Sequence, residues 1–268
     1  MQPITPVDVD VLEAGSGPLV MLVHSSVAGA RQWRKLMEAL APSFHVKAVN
    51  LFGYGRTPPW TAGRPQSLDD QAALVEAVIP DGVAGIGLVG HSFGGAVAMK
   101  AALHLGPRVE KLVLLEPNPF HLLCDHGRTE AFAEIASLGM VLRAHAGRGD
   151  WEAAAELFAD YWGGDGTWAA TSPERRGTFA EALKPNLHEW DAIMNETVPL
   201  DTWVERLPAR TLIVSDPATV RPIREIVELL RGATPWQFET TSGGHMAPLT
   251  RPELVNPIVE RFLRAPAS

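Results

Sequence analysis

The chain has 268 residues, of which 46% are hydrophobic, and its 31 acidic and 23 basic residues give a formal net charge of −8. This size permits a sizeable core, while the acidic balance argues against a nucleic-acid partner. The single cysteine, Cys124, excludes an internal disulfide framework and favours a reducing compartment. We find no signal-peptide pattern and no apolar run approaching the roughly 20 residues of a membrane span, so we expect a cytoplasmic protein without a membrane partner.

Short apolar segments alternate with amphipathic helical segments along most of the chain. In chain order, we predict strands at 7–11, 19–25, 45–51, 85–91, 111–116, 210–215 and 235–241. We predict helices at 31–40, 67–79, from about 92 onward, at 222–231 and at 252–263. The alternation of strands and helices predicts an α/β fold with a mostly parallel, doubly wound sheet.

The strand signals stop between residues 117 and 200. A segment of that length cannot be a loop in a compact domain, so we predict a helical insertion. The predicted organisation is a core of residues 1–117 and 201–268 with a helical cap of residues 118–200. Ligands bind beyond the carboxyl ends of the strands in such sheets. We therefore expect the insertion to be a lid over those ends.

The segment "GLVGHSFGG", residues 87–95, places one serine among four glycines where a strand meets a helix. Its central part, Gly90 to Gly94, fits the G-x-S-x-G pattern of a nucleophile turn. Glycines permit the sharp turn and the close helix crossing that such a turn requires. We predict that Ser92 is a nucleophile held above the sheet at the positive end of a helix.

A serine nucleophile needs a base that exchanges a proton near neutral pH, and histidine is the usual one. Of nine histidines, His245 lies on the glycine-rich loop after the last predicted strand and before the last helix. The base of hydrolases with such a turn comes last in the chain. We predict that His245 is the base.

These segments resemble the α/β-hydrolase family, specifically its lidded, esterase-like branch. The resemblance also rests on "LVHSSVAGARQW", "NLFGYGRT" and "GGHMAPLTRPELVNPIVERFL". It implies an oxyanion hole formed by the backbone N–H groups of Ser26 and Phe93. The family usually has His-Gly where this chain has His24-Ser25, so the hydroxyl of Ser25 or Ser26 is a further candidate donor.

The resemblance leaves the acidic member of the triad open between two residues. Most of the family has an aspartate about three residues beyond the strand that here reads "TLIVS", where this chain has Ala218. Asp216, directly after that strand, is one candidate. Glu116, at the end of "KLVLLEP", occupies a strand-end position that some relatives use, and its longer side chain extends its reach.

The stretch "HLLCDH" contains residue types that bind metals: His121, Cys124, Asp125 and His126. Its spacing matches no zinc site, and a serine hydrolase requires no metal. We therefore expect neither a metal site nor an organic cofactor.

The predicted function is hydrolysis of a small to medium, largely apolar carboxylic ester or lactone through an acyl-enzyme. A thioesterase or a hydrolase of carbon–carbon bonds would use the same residues, as would a lyase that uses them as acid and base. The fold also permits a ligand-sensing receptor that retains the triad, because fold does not determine function.

Overall fold

A computed structural model describes residues 8–266 and contains one sheet of seven strands. The strands are β1 (Val11–Ala14), β2 (Leu19–Val23), β3 (His45–Val49), β4 (Ile86–His91), β5 (Val109–Leu115), β6 (Thr211–Ser215) and β7 (Gln237–Thr240). Their order across the sheet is β1-β3-β2-β4-β5-β6-β7, and every neighbouring pair except β1 with β3 is parallel. The predicted mostly parallel sheet is confirmed.

Helices connect the strands and follow the last one. They are α1 (Arg34–Leu40), α2 (Leu68–Ala77), α3 (Phe93–Leu105), α4 (His121–Asp125), α5 (Thr129–Gly147), α6 (Trp151–Gly163), α7 (Thr167–Ala170), α8 (Pro173–Leu183), α9 (Asn186–Met194), α10 (Leu200–Arg206), α11 (Arg221–Ala233), α12 (Ala247–Thr250) and α13 (Pro252–Arg264). Short 3-10 helices lie at Ala30–Trp33 and Gly106–Arg108. None of the helices within residues 8–266 is long and apolar enough to cross a membrane.

The two faces of the sheet bury different helices, as expected when both faces of a parallel sheet are covered. Along β2, Val20 and Leu22 face one core together with α1 and α13. The alternate residues Leu19, Met21 and Val23 face the second core, which contains α2, α3 and α11. The fold is therefore the doubly wound α/β arrangement predicted from the sequence.

Seven helices, α4 to α10, occupy residues 116–210 between β5 and β6, and the structure places no strand in that range. We refer to residues 117–210 as the helical insert. Trp162, Trp168, Trp190 and Trp203 are buried in it and belong to the same core as α3. The insert therefore packs on the core rather than extending from it as a loop.

The strand predicted at residues 7–11 is wrong in position, because β1 begins only at Val11 and Val7 lies outside the described residues. Asp10 instead contacts the loop after β3. Its carboxylate accepts hydrogen bonds from Asn50 Nδ2 at 2.9 Å and from the backbone N–H of Arg56 at 3.1 Å. Alternation of valines with acidic residues predicts a strand, but the pairing of β1 with β3 begins at Val11, opposite Val49, and Asp10 precedes it.

The carboxyl ends of the central strands lie at one edge of the sheet. Gly90 pairs with Val23, while Leu115 pairs with both His91 and Val214. Residues that directly follow β2, β4, β5 and β6 are therefore neighbours in space. This register brings the sequence-distant candidate residues to one place.

Candidate active site

The turn between β4 and α3 holds Ser92 in a backbone conformation that side chains rarely adopt, with φ of 54° and ψ of −120°. The turn is possible because the residues two positions before and after Ser92, Gly90 and Gly94, are glycines. A Cβ atom on Gly90 would lie 2.2 Å from the carbonyl oxygen of Gly94, and one on Gly94 would lie 2.3 Å from that of His24. Such contacts are impossible for real side chains, so these glycines are a condition of the turn.

His245 lies between β7 and α12, and its ring contacts Ser92. The Ser92 hydroxyl donates to His245 Nε2 over 2.9 Å. The other ring nitrogen, Nδ1, donates to Glu116 Oε2 over 2.7 Å. All three side chains are buried, at 6% (Ser92), 3% (His245) and 2% (Glu116) exposure, so the chain of hydrogen bonds is shielded from bulk water.

Glu116 directly follows β5 and has a φ of 45°, which is unusual for a residue with a side chain. Its carboxylate accepts two further hydrogen bonds. The Thr219 hydroxyl donates to Oε2 at 2.6 Å, and the backbone N–H of Asp216 donates to Oε1 at 2.7 Å. These donors orient the carboxylate toward His245.

Asp216, the other candidate for the acid, has a different set of contacts. Its carboxylate accepts hydrogen bonds from the backbone N–H groups of Ala218, at 2.8 Å, and Gly244, at 2.7 Å. Among residues 8–266, no hydrogen bond joins Asp216 to His245. The structure thus brings Ser92, His245 and Glu116 together, while Asp216 connects the loop after β6 to the loop that carries His245.

The two candidates for the oxyanion hole, Ser26 and Phe93, line the same small cavity as Ser92 and His245. Phe93 is the first residue of α3, so its N–H has no acceptor within the helix. The Ser25 hydroxyl donates to Gln32 Oε1 at 2.9 Å. The Ser26 hydroxyl lies beside the Glu189 carboxylate. Each of the two serine hydroxyls thus faces another side chain.

Gln32 and His91 connect the Ser25 loop to His245, and the sequence analysis did not identify either. Gln32 Oε1 accepts from the Ser25 backbone N–H at 3.0 Å, and Gln32 Nε2 donates to His91 Nδ1 at 3.0 Å. His91 Nε2 in turn donates to the carbonyl oxygen of His245 at 2.9 Å. Burial, with the neighbouring His245, holds the pKa of His91 well below its ordinary value, so the ring is neutral. His91 is the unspecified residue before the serine of the G-x-S-x-G pattern, and that pattern assigns it no role.

His24 connects two strand ends and does not contact Ser92 among the described residues. Its Nδ1 donates to the Ser25 carbonyl oxygen at 2.8 Å, and its Nε2 accepts from the Leu51 N–H at 3.1 Å. Burial lowers the pKa of His24 to about 4, against the hydrogen bond to Ser25. The ring is therefore neutral near pH 7 and holds the loop after β2.

The loop after β2 is also connected to the helical insert, through Tyr54. Val27 has a φ of 68°, and its N–H donates to the Tyr54 hydroxyl oxygen at 3.0 Å. A β-branched residue in this conformation costs about 1–3 kcal/mol. The Tyr54 hydroxyl lies in turn beside Glu189 on α9. Burial, followed by the charge of Glu189, raises the pKa of Tyr54 well above its ordinary value.

Two cavities adjoin His245. The inner cavity, with a volume of about 20 Å³, contains Ser92 and is bounded by the insert residues Trp162, Glu189 and Trp190. The outer cavity, with about 600 Å³, lies between α6 and the loops after β2, β6 and β7. Trp162 borders both cavities, and its ring lies 4.4 Å from the His245 ring. Trp162 is thus one of five residues, with Ser26, Phe158, His245 and Met246, that border both cavities.

The metal-binding residue types of "HLLCDH" lie on α4 and just beyond it. His121 is buried, and its Nε2 donates to the Val198 carbonyl oxygen at 2.8 Å. Cys124 is exposed. Within the part of the chain that the structure describes, no cluster of three or more His, Cys, Asp or Glu residues could hold a metal ion.

Comparison with known proteins gives a family match over most of the chain. A model described as "Alpha/beta hydrolase family" matches residues 20–258. The chain is 38% identical over 114 residues to "Lipase LipV" of Mycobacterium tuberculosis, covering 41% of this chain and 42% of the relative. It is 37% identical over 106 residues to "Pimeloyl-[acyl-carrier protein] methyl ester esterase" of Pectobacterium carotovorum, covering 40% and 39%. The matched regions span about two fifths of the length of these curated relatives.

Solved structures share the fold over nearly the full length. MGS-M2, an alpha/beta hydrolase enzyme from a Medee basin deep-sea metagenome library, has a TM-score of 0.84 at 13% identity, covering 99% of this chain and 97% of that one. An esterase from Exiguobacterium antarcticum has a TM-score of 0.74 at 18% identity, covering 97% and 96%. At these identities the likeness is one of fold.

Proposed function

Because this chain belongs to the alpha/beta hydrolase family, we propose that it is a serine hydrolase of small to medium, largely apolar carboxylic esters or lactones. One observation carries the proposal: Ser92, His245 and Glu116 form a continuous buried chain of hydrogen bonds, with lengths of 2.9 and 2.7 Å. This arrangement activates a hydroxyl nucleophile through an oriented base.

In the first half of the proposed reaction, Ser92 Oγ attacks the acyl carbon while its proton passes to His245 Nε2. Glu116 accepts the Nδ1–H hydrogen bond, so it selects the required tautomer and stabilises the imidazolium. The negative charge that develops on the carbonyl oxygen is stabilised by the N–H groups of Ser26 and Phe93. A donor of this kind contributes about 3–4 kcal/mol of transition-state stabilisation.

In the second half, His245 returns the proton to the leaving alkoxide, and the ester bond breaks to give an alcohol and an acyl-enzyme. Water then attacks the acyl carbon while His245 accepts its proton. His245 passes that proton to Ser92 Oγ as the bond between Oγ and the acyl carbon breaks, and the acid product leaves. The same steps open a lactone, in which alcohol and acid remain one molecule.

Two observations support an ester with an apolar part as the substrate. The named activities of the two curated relatives are those of a lipase and a methyl ester esterase. The outer cavity has apolar walls that include Val27, Phe158, Phe179 and Leu249, and its volume of about 600 Å³ is within the range of small-molecule sites.

We also propose that residues 118–200 act as a lid. Helices α6 and α9 supply Trp162, Glu189 and Trp190 to the wall that covers Ser92. The inner cavity, at about 20 Å³, holds little more than one water-sized group. Outward movement of α6, which carries Trp162, would open the inner cavity to the outer one and admit a substrate.

Labelling with a fluorophosphonate, followed by intact mass, tests the proposal on wild type and on the Ser92→Ala variant. A single adduct on wild type and none on the variant is expected, together with turnover of good esters at about 1 s⁻¹ or faster. A folded wild type that forms no adduct and hydrolyses no ester would contradict it and favour the ligand-sensing alternative. Faster cleavage of thioesters or diketones than of the matched esters would instead move the assignment to those substrates.

A further inference from the structure

The inner cavity contains buried polar atoms that have no partner. Among residues 8–266, the acceptors Asn118 Oδ1, Asn186 Oδ1 and Glu189 Oε1 border it without a hydrogen bond of normal geometry. All three side chains are more than nine-tenths buried. A buried polar group without a hydrogen-bond partner destabilises the fold. Three such acceptors around one cavity point to a ligand that donates hydrogen bonds.

The cavity also contains a buried carboxyl group that no cation of the described chain pairs with. Asn186 Nδ2 donates to Glu189 Oε2 at 2.9 Å. Burial raises the pKa of Glu189, and the neighbouring polar groups of Ser26, Asn186 and Tyr54 offset part of that rise. These are neutral donors, and within the described chain no lysine, arginine or histidine pairs with this carboxylate. A buried carboxylate is ordinarily paired with a cation.

Aromatic rings form the rest of the wall. Trp162 and Trp190 border the cavity together with Phe120 and Phe158, and the Phe120 and Trp190 rings are stacked at 6.1 Å. The faces of such rings attract cations. The indole Nε1 atoms of Trp162 and Trp190 are also unpaired, but so are those of Trp33 and Trp203 elsewhere in the chain. Unpaired indoles are therefore not specific to this cavity.

We propose that the inner cavity binds a protonated amino group of the substrate, held by Glu189, Asn186 and Asn118 against the tryptophan faces. An ammonium group has three N–H donors and one positive charge, which matches the three free acceptors and the unpaired carboxylate. The inference rests on the proposed function and narrows it, because the ester that Ser92 attacks would be apolar except for one amine on its acyl chain.

The position of Glu189 gives the amine a role in selectivity. The Ser26 hydroxyl contacts Glu189, and the Ser26 N–H is a proposed oxyanion donor. A carboxylate so close to the developing oxyanion opposes the transition state by repulsion, unless a cation lies between or beside them. An aminated substrate supplies that cation and an alkyl substrate does not. The volume of about 20 Å³ matches a single group the size of an ammonium, and the acyl chain that carries it would enter when α6 moves outward.

Three methyl esters of matched size test the subsite: methyl β-alaninate, methyl butanoate and methyl 3-hydroxypropanoate. They place an ammonium, a methyl or a hydroxyl group at the same position. Binding to the Ser92→Ala protein is measured by tryptophan fluorescence and calorimetry. We expect the amine to bind about 10- to 100-fold more tightly than the methyl compound, with the hydroxyl compound between them.

Two variants in the Ser92→Ala background assign the effect. Glu189→Gln keeps the size of the side chain and removes its charge, so the preference for the amine should fall at least about tenfold. Glu174→Gln removes a charge from the exposed side of α8 and should leave the preference unchanged. Should Glu189→Gln unfold the protein, Asn186→Ala is the second variant, for which we expect a smaller fall of about threefold to tenfold.

Equal binding of the amine and methyl compounds to Ser92→Ala would overturn the subsite and assign the free acceptors to ordered water. Equal binding of the amine and hydroxyl compounds would overturn the requirement for charge. Hydrolysis by wild type, with each rate divided by that of the same ester with hydroxide, tests the proposed function separately. An amine preference in binding without any hydrolysis would preserve the subsite and reject the esterase.

Discussion

The core and the helical insert differ in how completely their buried polar atoms are hydrogen-bonded. Around Ser92, the core joins His245, Glu116, Gln32 and His91 into continuous hydrogen bonds of 2.7–3.0 Å. Most of the unpaired buried polar atoms in residues 8–266 lie in the insert, namely Asn118 Oδ1, His121 Nδ1, Asn186 Oδ1, Glu189 Oε1 and the indole Nε1 atoms of Trp162, Trp190 and Trp203. The core contributes only Trp33 Nε1 and Thr241 Oγ1 to the same set.

This contrast separates two requirements of an enzyme. The reacting groups must already be oriented before substrate arrives, and saturated hydrogen bonds provide that orientation. Groups that recognise a substrate must instead keep hydrogen-bonding capacity free until it binds. We infer that the core is organised for the chemistry and the insert for recognition.

The largest expected effect is a loss of kcat, and it tests which of the two candidate acids, Glu116 or Asp216, orients His245. Glu116→Gln should reduce kcat by about 10³- to 10⁴-fold, because an amide favours the wrong tautomer of His245. Asp216→Asn should reduce kcat by only about tenfold or less, since Asp216 binds backbone N–H groups instead of the imidazole. Steady-state kinetics with an ester that the wild type hydrolyses measures both values of kcat. A larger loss in Asp216→Asn would assign the acid to Asp216.

The second prediction concerns the joint between the core and the insert. Lys100 on α3 forms a buried ion pair of 2.7 Å with Glu196, near the end of the insert. Lys100→Met should lower the free energy of unfolding by about 3–5 kcal/mol, because it leaves Glu196 buried without a cation. Urea denaturation measures this. The double variant Lys100→Met/Glu196→Gln should recover part of the loss, and its failure to do so would show that packing rather than charge dominates.

The third prediction uses the neutral histidines of the core. Burial lowers the pKa of His24 to about 4, below the ordinary value near 6.5. Between these values the unfolded chain binds more protons than the folded one, so stability falls as the pH falls from about 6.5 toward 4. The contribution of His24 is about 3 kcal/mol. Urea midpoints at several pH values should show a shallower decline in His24→Asn than in wild type, and an unchanged decline would contradict this.

The smallest expected effect on kcat compares two buried hydrogen-bond networks, one beside Ser92 and one away from it. Gln32→Leu removes hydrogen bonds to Ser25 and His91, so kcat should fall about tenfold and stability by about 1–3 kcal/mol. Gln66→Leu removes the acceptor of a buried glutamine pair away from Ser92. It should cost similar stability and leave kcat within about twofold. Equal losses of kcat in both variants would remove the special role of Gln32.

The sequence predicted the central strands closely, because buried strands with flanking helices have a strong local pattern. The strand predicted at 85–91 is observed at 86–91, and that predicted at 210–215 is observed at 211–215. The strand at 7–11 was misplaced, because contacts of Asp10 with a distant loop have no local signal. For the acid, Glu116 and Asp216 both follow adjacent strands, so only the three-dimensional path of the loops distinguishes them.

Glu189 could not be predicted from the sequence. It lies on a helix of the insert, with no motif around it, and its partners Ser26 and Tyr54 are far away along the chain. The role of Gln32 could not be predicted either, because it depends on contacts with Ser25 and His91, although Gln32 lies in a segment that resembles the family. Residues that act through tertiary contacts alone leave no pattern of spacing.

The separation of Ser92 from His245 by 153 residues has a consequence for the nascent chain during translation. At about 5–20 residues per second, synthesis reaches the histidine roughly 8–30 s after the serine. All of the insert is made in that interval, before β6 and β7 exist to complete the sheet. A ribosome-bound chain therefore carries its serine for many seconds without the base, and reactivity can begin only after the loop that carries His245 has been made.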